Sequence, residues 1–177
     1  MGRMTSTGGG RQGPDIMWAT WRMAYIAGEH DDGPADPPCV FCHLPARGDD
    51  ARSLILHRGE RCFVIMNLYP YNNGHLMVVP YAHLDSLTAL DADTTGEMME
   101  LAKLAQRVVA EAMRPQGFNL GINQGRAAGA GIADHVHMHL LPRWAGDTNF
   151  MTTLGDTRVM PQHIDDTYRL LLPGFSA

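Results

Sequence analysis

The chain has little that would carry it into a membrane or an oxidising compartment. Its apolar runs are short, as in Leu76-Met77-Val78-Val79, whereas spanning a bilayer takes about 20 apolar residues. No charged-then-apolar leader opens it. The start Met1-Gly2-Arg3-Met4-Thr5-Ser6 fits a myristoylation pattern formally, and reads as a chance match in a disordered stretch. Cysteine is scarce, with three among 177 residues, so no disulfide framework can be built. Basic residues are fewer than acidic ones, 14 Lys and Arg against 19 Asp and Glu. Without clustered basic residues there is no electrostatic footprint for a nucleic-acid backbone. A small anionic ligand needs only a few local donors, so the net charge of −5 does not exclude one. The expectation is a cytoplasmic protein in a reducing setting, with neither nucleic acid nor membrane as partner.

What is present suffices for one packed domain with a tail at each end. Residues 1–37 read as a disordered start, a short helical arm over Met17–Ala27 and an acidic, Pro-rich linker. Residues 38–147 read as the compact domain and 148–177 as a tail packing on it. Within the domain, strands are expected over 53–57, 62–68, 75–80, 118–123 and 135–141, the last ended by Pro142. One long helix is expected over 94–114, opened by a capping box at Thr94-Thr95-Gly96-Glu97 and stopped by Pro115. Its stripe of Met98, Leu101, Ala102, Ala105, Val108, Val109 and Ala112 reads as core. A strand over 157–160 and a helix over 165–172 complete the reading. Strands outnumber helices and the main helix falls between strand pairs, which argues for an α+β fold with a largely antiparallel sheet.

His135-Val136-His137-Met138-His139 is the first chemical signal. Side chains alternate along a strand, so the three histidines share one face and Val136, Met138 and Leu140 the other. A solvated polar face explains one histidine better than three. Two chemistries fit the spacing equally: a three-histidine metal site, or nucleophilic catalysis by one imidazole with its neighbours placing protons and charge. The preceding loop shifts the balance. Gly125, Gly129 and Gly131, with Ala127, Ala128 and Ala130, let an anion approach the backbone closely. Asn123 and Gln124 add amide donors beside it. A phosphate next to an imidazole is the implied arrangement.

Cys39-Val40-Phe41-Cys42 supplies half of a tetrahedral metal site. His43, His57, His83 or His135 could complete it, and spacing does not choose among them. A redox pair, or two ordinary thiols, stay open. Cys62 lies in a strand pattern and reads as a small core residue.

The segment His135-Val136-His137-Met138-His139-Leu140-Leu141 resembles the motif of the histidine triad (HIT) family. Cys39-x-x-Cys42, Asn67, Asn73-Gly74-His75 through Pro80, His83, Asn123-Gln124-Gly125 and Pro142-Arg143 follow in the family's order. The resemblance covers residues 38–147. Asn67-Leu68-Tyr69-Pro70-Tyr71-Asn72, Pro142-Arg143-Trp144 and the tail look most like its diadenosine tetraphosphate phosphorylase branch. This implies a mostly antiparallel five-stranded sheet with one long helix. It implies that His137 attacks the α-phosphorus of a nucleotide to form a nucleotidyl-histidine, released to phosphate by a phosphorylase or to water by a hydrolase. It assigns His139 to the phosphate or leaving-group oxygen and His75 to buttressing the triad. Asn67 falls to the ribose, and Asn123, Gln124 and the amides from Gly129 to Gly131 to phosphate oxygens. In metal-bearing relatives the ligands match Cys39, Cys42, His83 and His135, a structural zinc that the chemistry does not require. Relatives are commonly homodimers. One departure stands out: Ala130-Gly131-Ile132-Ala133-Asp134 lacks the Ser or Thr many members carry there, which bears on leaving-group protonation and on the acceptor. The same scaffold also serves hydrolases of nucleoside phosphoramidates and adenylyl conjugates, and a nucleotide-binding regulatory protein without turnover is the third possibility.

Overall fold

The computed structural model describes residues 39–147 and 160–176. The helical arm expected over 17–27, the linker before residue 39 and all but Met160 of the strand expected over 157–160 lie outside the described residues; Met160 is in no strand. A five-stranded sheet forms the centre: β1 (Ile55–Arg58), β2 (Cys62–Met66), β3 (Leu76–Pro80), β4 (Gly117–Ile122) and β5 (Met138–Arg143). The order is β1-β2-β3-β5-β4, with every neighbouring pair antiparallel. Helices α1 (Val40–Ala46) and α2 (Asp50–Ser53) precede it. Helix α3 (Ala92–Met113) joins β3 to β4, and α4 (Ile164–Leu171) follows β5. The fold is α+β as expected, with one long helix.

Period-two alternation in β2 and β3 divides the core. Cys62, Val64, Met66, Leu76 and Val78 face α3, joined by Met138 and Leu140 of β5 and by Met98, Leu101, Ala102, Ala105, Val108 and Val109 of the helix stripe. Phe63, Ile65, Met77 and Val79 face the other side, where Ile55 and Phe41 complete a smaller cluster. Both central strands are therefore buried on both faces, and side-chain register alone decides what reaches the second face. That face is where the histidines gather. From α4, Tyr168 and Leu171 enter the α3 cluster along with Phe175. Among the described residues no helix is long and apolar enough to cross a membrane.

The elements shift by one to three residues from the sequence reading, and three of the shifts have a visible cause. Ser53, expected to open a strand, instead closes a helical turn over Asp50–Ser53, which the Asp49 side chain caps by accepting from the Arg52 amide at 3.1 Å. Leu54 turns left-handed at φ 59° and β1 begins at Ile55. The long helix starts at Ala92, since Asp91 accepts from the Thr94 amide at 2.6 Å and is the cap. Glu97 makes no capping box; its carboxylate accepts from the Arg61 amide at 2.9 Å, in the β1–β2 turn. Finally, β5 begins at Met138 and runs through Pro142, which pairs with Phe118. His135 and His137 precede the strand, and the backbone of His135 and Val136 is engaged elsewhere. The Val136 amide donates to Leu84 O at 2.6 Å, and His135 O takes a side-chain donor.

Candidate functional site

The approach to β5 and the strand itself set three imidazoles, and the partner of each fixes its tautomer. A carbonyl oxygen only accepts, so a ring nitrogen bonded to one must carry the hydrogen. His135 donates Nε2–H to Pro80 O at 2.8 Å, which turns the lone pair of Nδ1 toward Cys39, Cys42 and His83. His137 donates Nδ1–H to His135 O at 2.8 Å, which leaves the lone pair on Nε2. His75 is constrained from its other end: its Nδ1 accepts from the Tyr71 amide at 3.1 Å, so its hydrogen sits on Nε2. That hydrogen goes to His139 Nδ1, 2.9 Å away, and a neutral His139 then carries its own hydrogen on Nε2. His137 and His139 lie 4.8 Å apart, ring centre to centre, at 74°. A ring whose Nε2 keeps its lone pair and a ring that carries its hydrogen on Nε2 are thereby neighbours.

Burial supports the neutral state of the first two rings. His75 and His135 are fully buried, and His137 and His139 nearly so. Burial pushes the pKa of His137 below the ordinary imidazole range, against the opposing pull of its bond to His135 O. His135 is lowered likewise by burial, with Pro80 O opposing. A neutral imidazole is the form that can attack phosphorus or bind a metal.

The four metal candidates converge. Cys39 caps α1 and Cys42 lies one turn on. Their Sγ atoms meet His135 Nδ1 at 3.3 and 3.7 Å. Cys42 Sγ is 3.4 Å from His83 Nδ1, and the two imidazole Nδ1 atoms are 3.3 Å apart. All four ligand atoms lie within 4.8 Å of one another. Tetrahedral zinc with bonds of about 2.0–2.3 Å wants edges of roughly 3.3–3.8 Å, so most of the cage already has zinc dimensions. The Pro80 carbonyl behind His135 is the outer partner that orients a ligating ring. Of the other histidines considered, His57 lies on the opposite face against Phe175 O at 3.3 Å, and His43 is not in the cluster. Burial, then the neighbouring Cys39, pushes the Cys42 thiol up. The fully buried Cys62 thiol is pushed to about 12, chiefly by burial. It is a core residue.

The remaining candidates sit less simply. Asn67 turns its amide inward: Oδ1 accepts from the Tyr69 amide at 2.9 Å and Nδ2 lies 3.3 Å from His75 Nδ1. Gln124 bridges to the segment after β3, accepting from the Leu87 amide at 3.1 Å and donating to Ser86 Oγ at 3.2 Å. Asn123 is half-buried between β4 and the glycine loop. In that loop Gly125 and Gly129 hold φ of 79° and 81°, a left-handed conformation that favours glycine. The amides of Ala128 and Gly129 close the turn onto Gly125 O and Arg126 O, while Gly131 is exposed. Two aromatic neighbours were missed in the sequence. Phe41, between the paired cysteines, lies 4.8 Å from the His137 ring and 5.5 Å from that of His135. Tyr71 lies 4.6 Å from His75 and 5.7 Å from His139. Their signal was position alone, one inside the Cys-x-x-Cys motif and the other four residues before His75.

With this geometry in hand, the class is plain: the HIT domain matches residues 49–146, and the chain belongs to that family. Within it, the chain is 41% identical over 159 residues to the AP-4-A phosphorylase of Mycobacterium tuberculosis, covering 88% of this chain and 81% of that protein. It is 29% identical over 116 residues to the adenylylsulfatase HINT3 of Arabidopsis thaliana, covering 62% of this chain and 57% of that protein. A crystal structure of a Zn-bound histidine triad family protein from Mycobacterium smegmatis superposes with a TM-score of 0.64 at 28% identity, covering 78% of this chain and 93% of that one.

Proposed function

We propose that this chain cleaves dinucleoside polyphosphates, diadenosine tetraphosphate above all, by transferring the nucleotidyl group first to His137 and then to inorganic phosphate. The observation that carries this is the tautomer of His137: with Nδ1–H held by His135 O, Nε2 keeps its lone pair for phosphorus. That nitrogen attacks the α-phosphorus, a phosphorus–oxygen bond breaks, and ATP leaves. The ring N–H of His139 donates to the leaving oxygen or a nonbridging oxygen, and His75 holds His139 in the donating tautomer. Phosphate oxygen then displaces the histidine and ADP departs; water in the same place gives AMP. Asn67 at the ribose, with Asn123, Gln124, Gly129 and Gly131 around the phosphates, complete the nucleotide-binding set. The M. tuberculosis relative's name supports the substrate and the acceptor.

Cys39, Cys42, His83 and His135 fit a structural zinc, which would tie α1 to the approach of β5 and supply rigidity rather than chemistry. The M. smegmatis neighbour supports that ion. A homodimer is proposed through β4, one of the two outer strands of the sheet, which exposes Asn119, Leu120 and Gly121. A cytoplasmic location follows the sequence reading. The second reading, hydrolysis of adenylyl conjugates or phosphoramidates, uses the same nucleophile and draws on the Arabidopsis relative's name. A product assay on diadenosine tetraphosphate separates them. ADP plus ATP only when phosphate is present is expected. AMP plus ATP regardless of phosphate indicates a hydrolase, and absence of any nucleotide turnover indicates a binding protein.

A further inference from the structure

We propose that Thr167 of α4 is a positioning residue for the reaction, acting through Asn73 on His75 and so on His139. This rests on the function proposed above. The HIT match ends at residue 146, so α4 lies outside it, yet α4 holds the loop that sets the buried histidine pair. Thr167 is fully buried and Asn73 nearly so. Thr167 Oγ1 donates to Asn73 Oδ1 at 3.1 Å. Its hydroxyl also lies 3.2 Å from His163 O, so the one hydrogen is shared between two acceptors, and His163 O already accepts from the Thr167 amide at 3.0 Å. Asn73 Nδ2 donates to Gln162 Oε1 at 3.4 Å. Both polar atoms of one amide are therefore held by residues 162–167.

Two residues on from Asn73 is His75. Gly74 between them leaves little slack, since it sits at φ +73° with Met113 Sδ only 2.8 Å from where a Cβ would be. The His75 amide donates to Asn72 O at 3.2 Å and His75 O accepts from the Asn67 amide at 3.0 Å, which closes the loop around the ring. A displacement at Asn73 is thus passed to His75, and from its Nε2 to His139.

Packing alone does not fix Asn73. A cleft of about 320 Å³, lined also by Met66, Pro70, Met160 and Ile164, opens between the loop and the C-terminal segment. On that side the hydrogen bonds do the holding. The anchor itself is independent of Thr167: Tyr168 donates its hydroxyl to Ile55 O at 3.0 Å, and Leu171 and Phe175 are in the main core. Removing one hydroxyl leaves α4 in place.

The test uses the full chain with diadenosine tetraphosphate and phosphate. Thr167→Val keeps the shape and removes the donor; kcat falls roughly five- to tenfold with KM within about twofold. Thr167→Ser restores kcat. In a His75→Ala background, Thr167→Val lowers kcat no further, because the path it acts through is gone. A Val variant with wild-type kcat, a Ser variant as slow as Val, or equal losses in both backgrounds overturns the proposal. A wild-type chain that turns over no nucleotide overturns the parent reading, and this one with it.

Discussion

Replacing His75 with alanine tests the histidine pair directly. His75 is fully buried and joins two groups: it accepts from the Tyr71 amide and donates to His139 Nδ1. The substitution removes both bonds and leaves a cavity. Losing the acceptor of the part-buried Tyr71 amide costs about 1 kcal/mol of stability, and the cavity adds to it, so the melting temperature falls by several degrees. The rate effect has a separate origin. Without the donor from His75, His139 is no longer confined to the tautomer that presents Nε2–H. A hydrogen bond in a chain that ends on a charged phosphate is worth about 1.5–3 kcal/mol, or roughly 10- to 150-fold in rate. Quenched-flow measurement of nucleotidyl-enzyme formation reads this step before product release intervenes. The loss falls on that step, and millimolar imidazole recovers part of it by filling the cavity. A variant that folds, yet forms the intermediate within about threefold of the wild-type rate, refutes the relay.

The other expectations are briefer. His137→Ala abolishes the phosphorus-labelled protein intermediate and lowers turnover by at least about a thousandfold, while calorimetry still detects nucleotide binding; a labelled variant places the nucleophile elsewhere. Cys39→Ser removes one corner of the metal cage, and metal analysis of the purified protein shows zinc below one per chain; unchanged stoichiometric zinc defeats the assignment. Gly74→Ala forces a side chain into a left-handed position with Met113 Sδ 2.8 Å away, so denaturant unfolding shows a loss of about 1–3 kcal/mol. Leu120→Arg places a charge on the exposed outer strand β4, and light scattering shows a monomer; an unchanged dimer means that the contact lies on another surface.

Much of the fold was legible because it repeats. The apolar stripe of α3 returns at helical spacing, and β2 and β3 are short apolar runs bounded by turns, so both elements show in the sequence. The misread boundaries were contests between equivalent local signals. Asp91 and Thr94 are both good caps, and Asp91 accepts the amide of its rival. Asp49 caps a helical turn that strand propensity around Ser53-Leu54-Ile55 concealed. Pro142 read as a stop, yet it lies inside β5 and its carbonyl accepts from Asn72 Nδ2 at 3.1 Å. The outcomes at Asp91 and Pro142 depend on a choice between near-equal caps and on a partner distant in the chain, which composition and spacing do not encode.

The site divides along the same line. Residue types and spacing pointed to histidines that the fold brings together, but the tautomers of His135 and His137 are set by backbone carbonyls that sequence does not distinguish. Alternation on a strand was the stated reason for grouping His135, His137 and His139, yet only His139 lies within β5. What separates His135 from His137 is the atom each offers. Pro80 O takes Nε2–H from His135, leaving Nδ1 toward the thiols. His135 O takes Nδ1–H from His137, leaving Nε2. The ring that belongs to the metal cage thus carries, on its own backbone, the acceptor that sets the tautomer of the proposed nucleophile. Cage and nucleophile share a single residue, so any shift of His135 reaches His137 through one 2.8 Å hydrogen bond. An ion held by Cys39, Cys42, His83 and His135 would thus bear on the tautomer of the proposed nucleophile without touching the phosphorus.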